Sequence, residues 1–190
     1  MARKTVCCKK RGGMSMRHNK LQKLTLSALF AALIYVATNI IHIPTPGTNG
    51  YLNLGDSMVL LGAFLLGPWY GAAAAGIGSL LADLLLGYAA YAPGTLLIKG
   101  LMAVMAAFGL KVLRDRIGIT AGVLISGAAA ELWMAIGYFG YESAILGYGL
   151  AAAAGIAGNA LQGAVGLALS AVIYQSLYHI PAVRKSVCAF

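Results

Sequence analysis

Lys99 is the one Lys or Arg of this chain that falls deep inside an apolar segment; the other thirteen of the fourteen basic residues map to one side of the membrane, in tails or at segment ends. It stands six residues past Pro93, which on a helix is about 9 Å from the start, and Glu131 stands eight residues before Phe139, about 12 Å from the end of its own helix. If those two ends share one membrane face, an amine and a carboxylate lie at nearly one depth. An unpaired charge at the centre of a spanning helix costs about 2.5–3.5 kcal/mol on insertion scales, so both side chains are expected to face the bundle interior or a wet cavity. The pair is either an ion pair that sets helix packing or a set of polar anchors for a ligand.

The surrounding residue types favour the ligand. Glu131, Met134, Ala135 and Tyr138 share one helical face by their i, i+3, i+4, i+7 spacing, with Trp133 off that stripe as an interfacial anchor. Tyr148, Gly155, Asn159 and Gln162 form a second stripe, and Asp56, Asp83 and Glu142 map to the same outer half of the membrane as Lys99. The first outer loop carries Pro44, Pro46, Gly47 and Gly50 and ends in Tyr51 and Asn53; it reads equally as a lid or as an ordinary connection. His42 at its start reads as an interfacial residue. A carboxylate, a lysine, an amide pair and aromatic rings at one level suit a small heteroaromatic molecule with hydroxyls, which needs stacking faces and a few hydrogen bonds. The expected substrate-binding residues are Lys99, Glu131, Tyr138, Asn159, Gln162, Asn53, Tyr51 and Asp83.

Catalytic patterns are missing from the sequence. It has no HExxH, GxSxG or Walker lysine loop, and Gly76-Ile77-Gly78 lacks the third glycine of a dinucleotide site. No Cys/His spacing suggests a metal, and Cys7, Cys8 and Cys188 fall in predicted cytoplasmic tails, where thiols stay reduced. The reading is therefore binding without catalysis, with no metal and no bound cofactor.

The elements that must hold these residues are membrane helices. The chain is 60% hydrophobic and 10% charged with a mean hydropathy of +0.81, which marks one integral membrane domain. Apolar segments run over 24–41, 55–67, 70–87, 95–113, 117–139 and 149–178, the second short and joined to the third by Gly67-Pro68-Trp69. We expect an all-α, polytopic bundle of six transmembrane helices over residues 21–180, a basic tail over 1–20 and a short tail over 181–190, both cytoplasmic. The 1–20 stretch resembles a signal n-region, but the apolar run after it is too long, so it reads as an uncleaved first helix. Loops 42–54, 88–93 and 140–148 contain no Lys or Arg, so the positive-inside bias puts them outside the cell membrane. The net charge of +9 then serves orientation and attraction to anionic lipid rather than nucleic-acid binding.

Ala28 and Ala32, four apart on the first helix, make a small-residue stripe. With it, Asn53-Leu54-Gly55-Asp56, Leu66-Gly67-Pro68-Trp69-Tyr70-Gly71, Ala82-Asp83-Leu84-Leu85-Leu86-Gly87 and Gly158-Asn159-Ala160-Leu161-Gln162-Gly163 resemble the substrate-binding (S) components of energy-coupling factor (ECF) vitamin transporters, in the branch for riboflavin, pyridoxine and hydroxymethylpyrimidine. The resemblance covers about residues 21–178. It implies six helices, a pocket near the outer face built by the first loop and helices four to six, and docking of the Ala28/Ala32 stripe on a transmembrane coupling subunit. It also implies two cytoplasmic ATPase subunits that use the ATP. The alternative is a proton- or ion-coupled carrier using Lys99, Glu131 and Asp83, but the internal repeats usual in such carriers are not found.

The basic asymmetry makes a direct prediction. Cysteines introduced at Asn49 and Ser143 should react with an impermeant reagent applied outside cells, and one at Asp115 should not; the reverse pattern would invert the topology.

Overall fold

The computed structural model describes residues 16–44 and 51–180. Cys7, Cys8 and Cys188, most of the two predicted tails and the loop tip over 45–50, Asn49 included, lie outside the described residues.

Six α-helices carry the fold: α1 (Met16–Ile40), α2 (Gly55–Leu66), α3 (Pro68–Leu85), α4 (Ala92–Ile117), α5 (Ile119–Gly140) and α6 (Ala154–Tyr178). Between α1 and α2, β1 (His42–Pro44) pairs antiparallel with β2 (Tyr51–Asn53), with Ile43 opposite Leu52. A π turn over Tyr141–Ile145 and a 3-10 turn over Gly149–Ala153 connect α5 to α6. The chain is a six-helix membrane bundle. Helices α1, α4, α5 and α6 lie in stretches long and apolar enough to cross a membrane, whereas α2, at 12 residues, rises only about 18 Å.

That short helix is the centre of the bundle. It packs against α1, α3, α4 and α6, and ten of its residues, from Gly55 and Asp56 to Phe64 and Leu66, are buried. A helix apolar on every side belongs inside. The other helices instead turn Leu33, Val36, Leu97, Leu101, Leu132 and Leu161 outward, the faces available to lipid. The core proper runs through Ile34, Leu60, Phe64, Met102, Met134 and Tyr174, with Phe64 and Tyr174 edge to face at 5.6 Å.

Turn chemistry explains the joints. Gly67 and Gly118 have φ of +84° and +88°, a conformation that favours glycine, and Pro68 follows Gly67 in the first turn of α3, where its missing N–H costs nothing. The α4 helix runs on to Ile117, so Arg114 and Arg116 occupy its last turn, not a loop. Cations at that end complement the helix dipole. Likewise α1 starts at Met16, before its apolar run.

Small residues bring the helices close. A Cβ on Gly78 of α3 would stand 2.6 Å from the Ala31 carbonyl oxygen of α1, and one on Gly71 would stand 2.8 Å from the Cα of Ala63. Lipid is as apolar as leucine, so such close packing must supply much of the association energy. Gly78→Val should therefore force α1 and α3 apart and destabilise the purified protein by about 1–3 kcal/mol; an unchanged unfolding midpoint in detergent would contradict this contact.

Candidate functional site

The site is built upward from the N-terminus of α2. Asp56 lies in the first turn of that helix, where the dipole favours an anion, and is fully buried. Its Oδ1 takes the ion pair and hydrogen bond of Lys99 Nζ from α4, itself only 3% exposed. Its Oδ2 accepts from Gln162 Nε2 of α6 at 2.7 Å. The same amide's Oε1 accepts the Asn53 backbone N–H at 2.8 Å, and the Asn53 side chain in turn accepts the Gly55 N–H at 2.8 Å. One carboxylate thus ties α2, α4, α6 and the first loop together. Gly55 is pressed against Thr38 of α1, whose Oγ1 leaves no room for a Cβ there.

Above this floor opens a tight cavity of about 40 Å³. Three helices offer it residues about one turn apart. These are Thr95 and Lys99 from α4, with Tyr91 just before it, Ser79 and Asp83 from α3, and Gly155, Asn159 and Gln162 from α6. Tyr138 and Glu142 come from α5 and the π turn, and Tyr51 and Asn53 from the hairpin. The Lys99 ammonium lies 5.4 Å from the Tyr138 ring centroid, a cation–π distance, and the Tyr138 hydroxyl donates to Thr95 Oγ1 at 3.1 Å.

Tyrosines close the mouth. The Tyr51 hydroxyl donates to Asp83 Oδ1 at 2.6 Å, and its ring lies 4.7 Å from His42 and 4.6 Å from Tyr88. His42 Nε2 and the Tyr88 hydroxyl are 3.1 Å apart. Tyr91 donates to Glu142 Oε1 at 3.2 Å, and Tyr141 donates to the Ala90 carbonyl at 2.8 Å. Burial first, and then the facing carboxylate, push the Tyr51 and Tyr91 hydroxyls far up from their ordinary range, so both remain donors. Three connections are thereby stitched into a cover over the cavity.

The pairing expected for Lys99 is corrected. Its ion-pair partner is Asp56, not Glu131, because the first turn of α2 presents Asp56 to α4, whereas Glu131 of α5 is packed against Gly163 and Gly166 of α6. Glu131 is buried with neither oxygen hydrogen-bonded and does not line the cavity. It packs on α6: a Cβ on Gly166 would meet both Glu131 Oε1, at 3.2 Å, and Asp56 Cβ, at 2.9 Å. The two carboxyl side chains therefore approach within about 6 Å behind the floor. Trp133 also differs from an interfacial anchor, since its Nε1 donates to the Ile98 carbonyl of α4 at 3.3 Å.

Comparison with known proteins decides the identity of the bundle. The model of the family described as ECF-type riboflavin transporter, S component, matches residues 18–179. The chain belongs to this S-component family. It is 31% identical over 162 residues to the thiamine precursor transporter HmpT of Lactococcus lactis subsp. cremoris (strain MG1363), covering 84% of this chain and 90% of that one. It is also 38% identical over 120 residues to an uncharacterized Pyrococcus woesei protein, 63% of this chain and 78% of the other. A solved structure of the S component of a bacterial ECF transporter superposes with a TM-score of 0.61 over 84% of this chain and 97% of its own, at 19% identity, which shows a shared fold. The protein is thus a membrane-embedded S component of an ECF-type transporter, not an enzyme. Among the described residues, no group of three or more His, Cys, Asp or Glu side chains could hold a metal ion.

Within the S component, sequence reasoning brought Lys99, Tyr138, Asn159, Gln162, Tyr51, Asn53 and Asp83 to the cavity wall, while Thr38, Ser79, Tyr91, Thr95 and Glu142 were not singled out as site residues. A signal existed for most of them. Ser79 precedes Asp83 by one turn, Tyr91 and Thr95 precede Lys99 by two turns and one, and Glu142 follows Tyr138 by one. The floor pair yields a prediction. Lys99→Met and Asp56→Asn should each destabilise the protein by about 3–5 kcal/mol, and together by clearly less than the sum. A double-mutant cycle in detergent should give a smaller coupling between Lys99 and Glu131; a larger one would reverse the assignment.

Proposed function

We propose that this S component captures a small vitamin or vitamin precursor, of the pyridoxine, hydroxymethylpyrimidine or riboflavin type, from outside the cell for ATP-driven uptake. The observation that carries the reading is the polar, tyrosine-covered cavity above the Asp56–Lys99 floor, walled by Asp83, Thr95, Tyr138, Glu142, Asn159 and Gln162. It combines ring faces with hydrogen-bonding groups, as a hydroxylated heteroaromatic ligand requires. The thiamine-precursor name of one relative supports the pyrimidine member of the set, and the family description supports the flavin. Orientation follows from the basic asymmetry, with both termini cytoplasmic and the cavity outward in the cell membrane.

Transport requires partners. Ala28 and Ala32 are exposed on α1 and line an apolar groove between α1 and α3 with Leu24, Tyr35, Ala73 and Ile77. Small side chains there leave room for a helix of a transmembrane coupling subunit to approach closely. Two cytoplasmic ATPase subunits would supply the energy, so this chain itself holds no cofactor and uses the bilayer as its only other surroundings.

The test has two arms. Mass spectrometry of ligand carried through purification, followed by calorimetry, should identify one compound of this set bound at a single site. Ala28→Trp and Ala32→Trp should then abolish ATP-dependent uptake in cells that supply the partner module while leaving the affinity of the purified protein unchanged. Uptake that persists without the ATPase partners would favour an ion-coupled carrier, and normal transport by both variants would remove the groove from the coupling surface.

A further inference from the structure

The cavity is too small for a vitamin-sized ring. Small-molecule sites run to about 300–1,000 Å³, whereas this one measures about 40 Å³, so part of its wall has to move before a ligand enters. The helices of the wall are held by packing against one another. Strand β2 (Tyr51–Asn53) is the short piece. It belongs to a two-stranded hairpin, which has little stability of its own and depends on whatever fastens it.

Two fastenings hold β2, and they are unlike. At one end the Tyr51 hydroxyl donates to Asp83 Oδ1 of α3 at 2.6 Å; the half-buried Tyr51 ring otherwise meets the rings of His42 and Tyr88. At the other end, where Asn53 faces His42 at the foot of the hairpin, the Asn53 backbone N–H donates to Gln162 Oε1 at 2.8 Å, and Gln162 is only 6% exposed. The Asn53 side chain accepts the Gly55 N–H, and Leu52 sits close on α6, where a Cβ on Gly158 would lie 3.0 Å from Leu52 Cδ2. The first fastening is a single bond between side chains. The second is a buried backbone bond backed by packing and by the start of α2.

Gln162 suits this place because its side chain has two different ends. Its Nε2 donates to Asp56 Oδ2 at 2.7 Å while its Oε1 accepts from Asn53; a carboxylate on one side and an N–H on the other leave only this orientation of the amide. Asp56 is fixed in turn by Lys99. A glutamate would face Asp56 acceptor to acceptor, and a methionine would serve neither side. Expected from the sequence to contact substrate, Gln162 has both polar ends engaged within the protein.

We propose that Gln162 is the positioning residue of the cover: it transmits the geometry of the Asp56–Lys99 floor to the Asn53 backbone, which is the pivot of β2, while the Tyr51–Asp83 bond is the latch that releases. A ligand then enters on the Tyr51 side, and the pivot brings the strand back over it. This inference rests on the capture function proposed above, but its test uses no ligand, so it can fail while capture stands.

The experiment is amide hydrogen exchange on the full chain in nanodiscs, resolved to single residues, corrected for intrinsic rates and paired with the thermal unfolding midpoint. In the unmodified protein the Asn53 amide should exchange at least about tenfold more slowly than those of Tyr51 and Leu52. An Asn53 amide as fast as its neighbours would overturn the pivot, and that comparison needs no variant to fold. Tyr51→Phe should speed exchange at His42, Ile43, Tyr51 and Leu52 while Asn53 stays slow; equal release of Asn53 would erase the distinction between latch and pivot. Gln162→Met and Gln162→Glu should each speed Asn53 by roughly tenfold to a hundredfold. Asp56→Asn combined with Gln162→Glu re-forms an amide–carboxylate pair with donor and acceptor exchanged, and should slow the Asn53 amide at least about tenfold relative to Gln162→Glu alone. A Gln162 that matters only for packing would lower the unfolding midpoint without singling out Asn53, and the exchanged pair would not rescue it; that pattern would overturn the inference.

Discussion

The Asp56–Lys99 ion pair is the interaction on which the other features of the site depend. Two charges withdrawn from water into a bilayer-embedded bundle carry a desolvation cost that only close geometry and further hydrogen bonds offset. Here those bonds come from Gln162 and, through it, from the backbone of the first loop. The carboxylate also occupies the positive end of α2. The pair therefore does more than join α2 to α4. It sets the height of the cavity floor, orients the amide of α6 and ends the hairpin at Asn53.

Such a floor is feasible because α2 is short and wholly enclosed. A helix of full membrane length would carry its N-terminus to the water interface, where Asp56 would be solvated and of little use to Lys99. Starting instead at Gly55, beneath the hairpin and tight against Thr38, the helix delivers a carboxylate to the interior of the protein. Glycines at the contacts make that approach possible. Gly166 admits the Asp56 and Glu131 side chains together, and Gly163 leaves room for Glu131 alone.

The cover is held differently from the floor. It consists of aromatic rings and tyrosine hydroxyls bridging three connections, and each hydrogen bond joins a loop to a helix end. Such contacts are individually modest. The cavity thus lies between a charged, hydrogen-bonded floor and an aromatic cover. The apolar groove on α1 and α3 shares no residue with the cavity lining.

Much of this was legible in the residues alone. Mean hydropathy and the distribution of Lys and Arg determine a polytopic membrane bundle, and the 3.6-residue period determines which polar side chains share a face with Lys99, Tyr138 and Asn159. Depth along one helix follows from counting residues, which is why Lys99 and Glu131 could be set at one level. Periodicity says nothing, however, about how one helix is rotated or shifted against another. Only the packing of α2 between α4 and α6 gave Lys99 to Asp56 and left Glu131 unpaired on the glycines of α6. Only the π turn after α5 brought Glu142 back into the cavity opposite Asp83. Those choices rest on contacts between residues 43 to 106 positions apart, and they were decided by close packing and by which buried groups could find a partner.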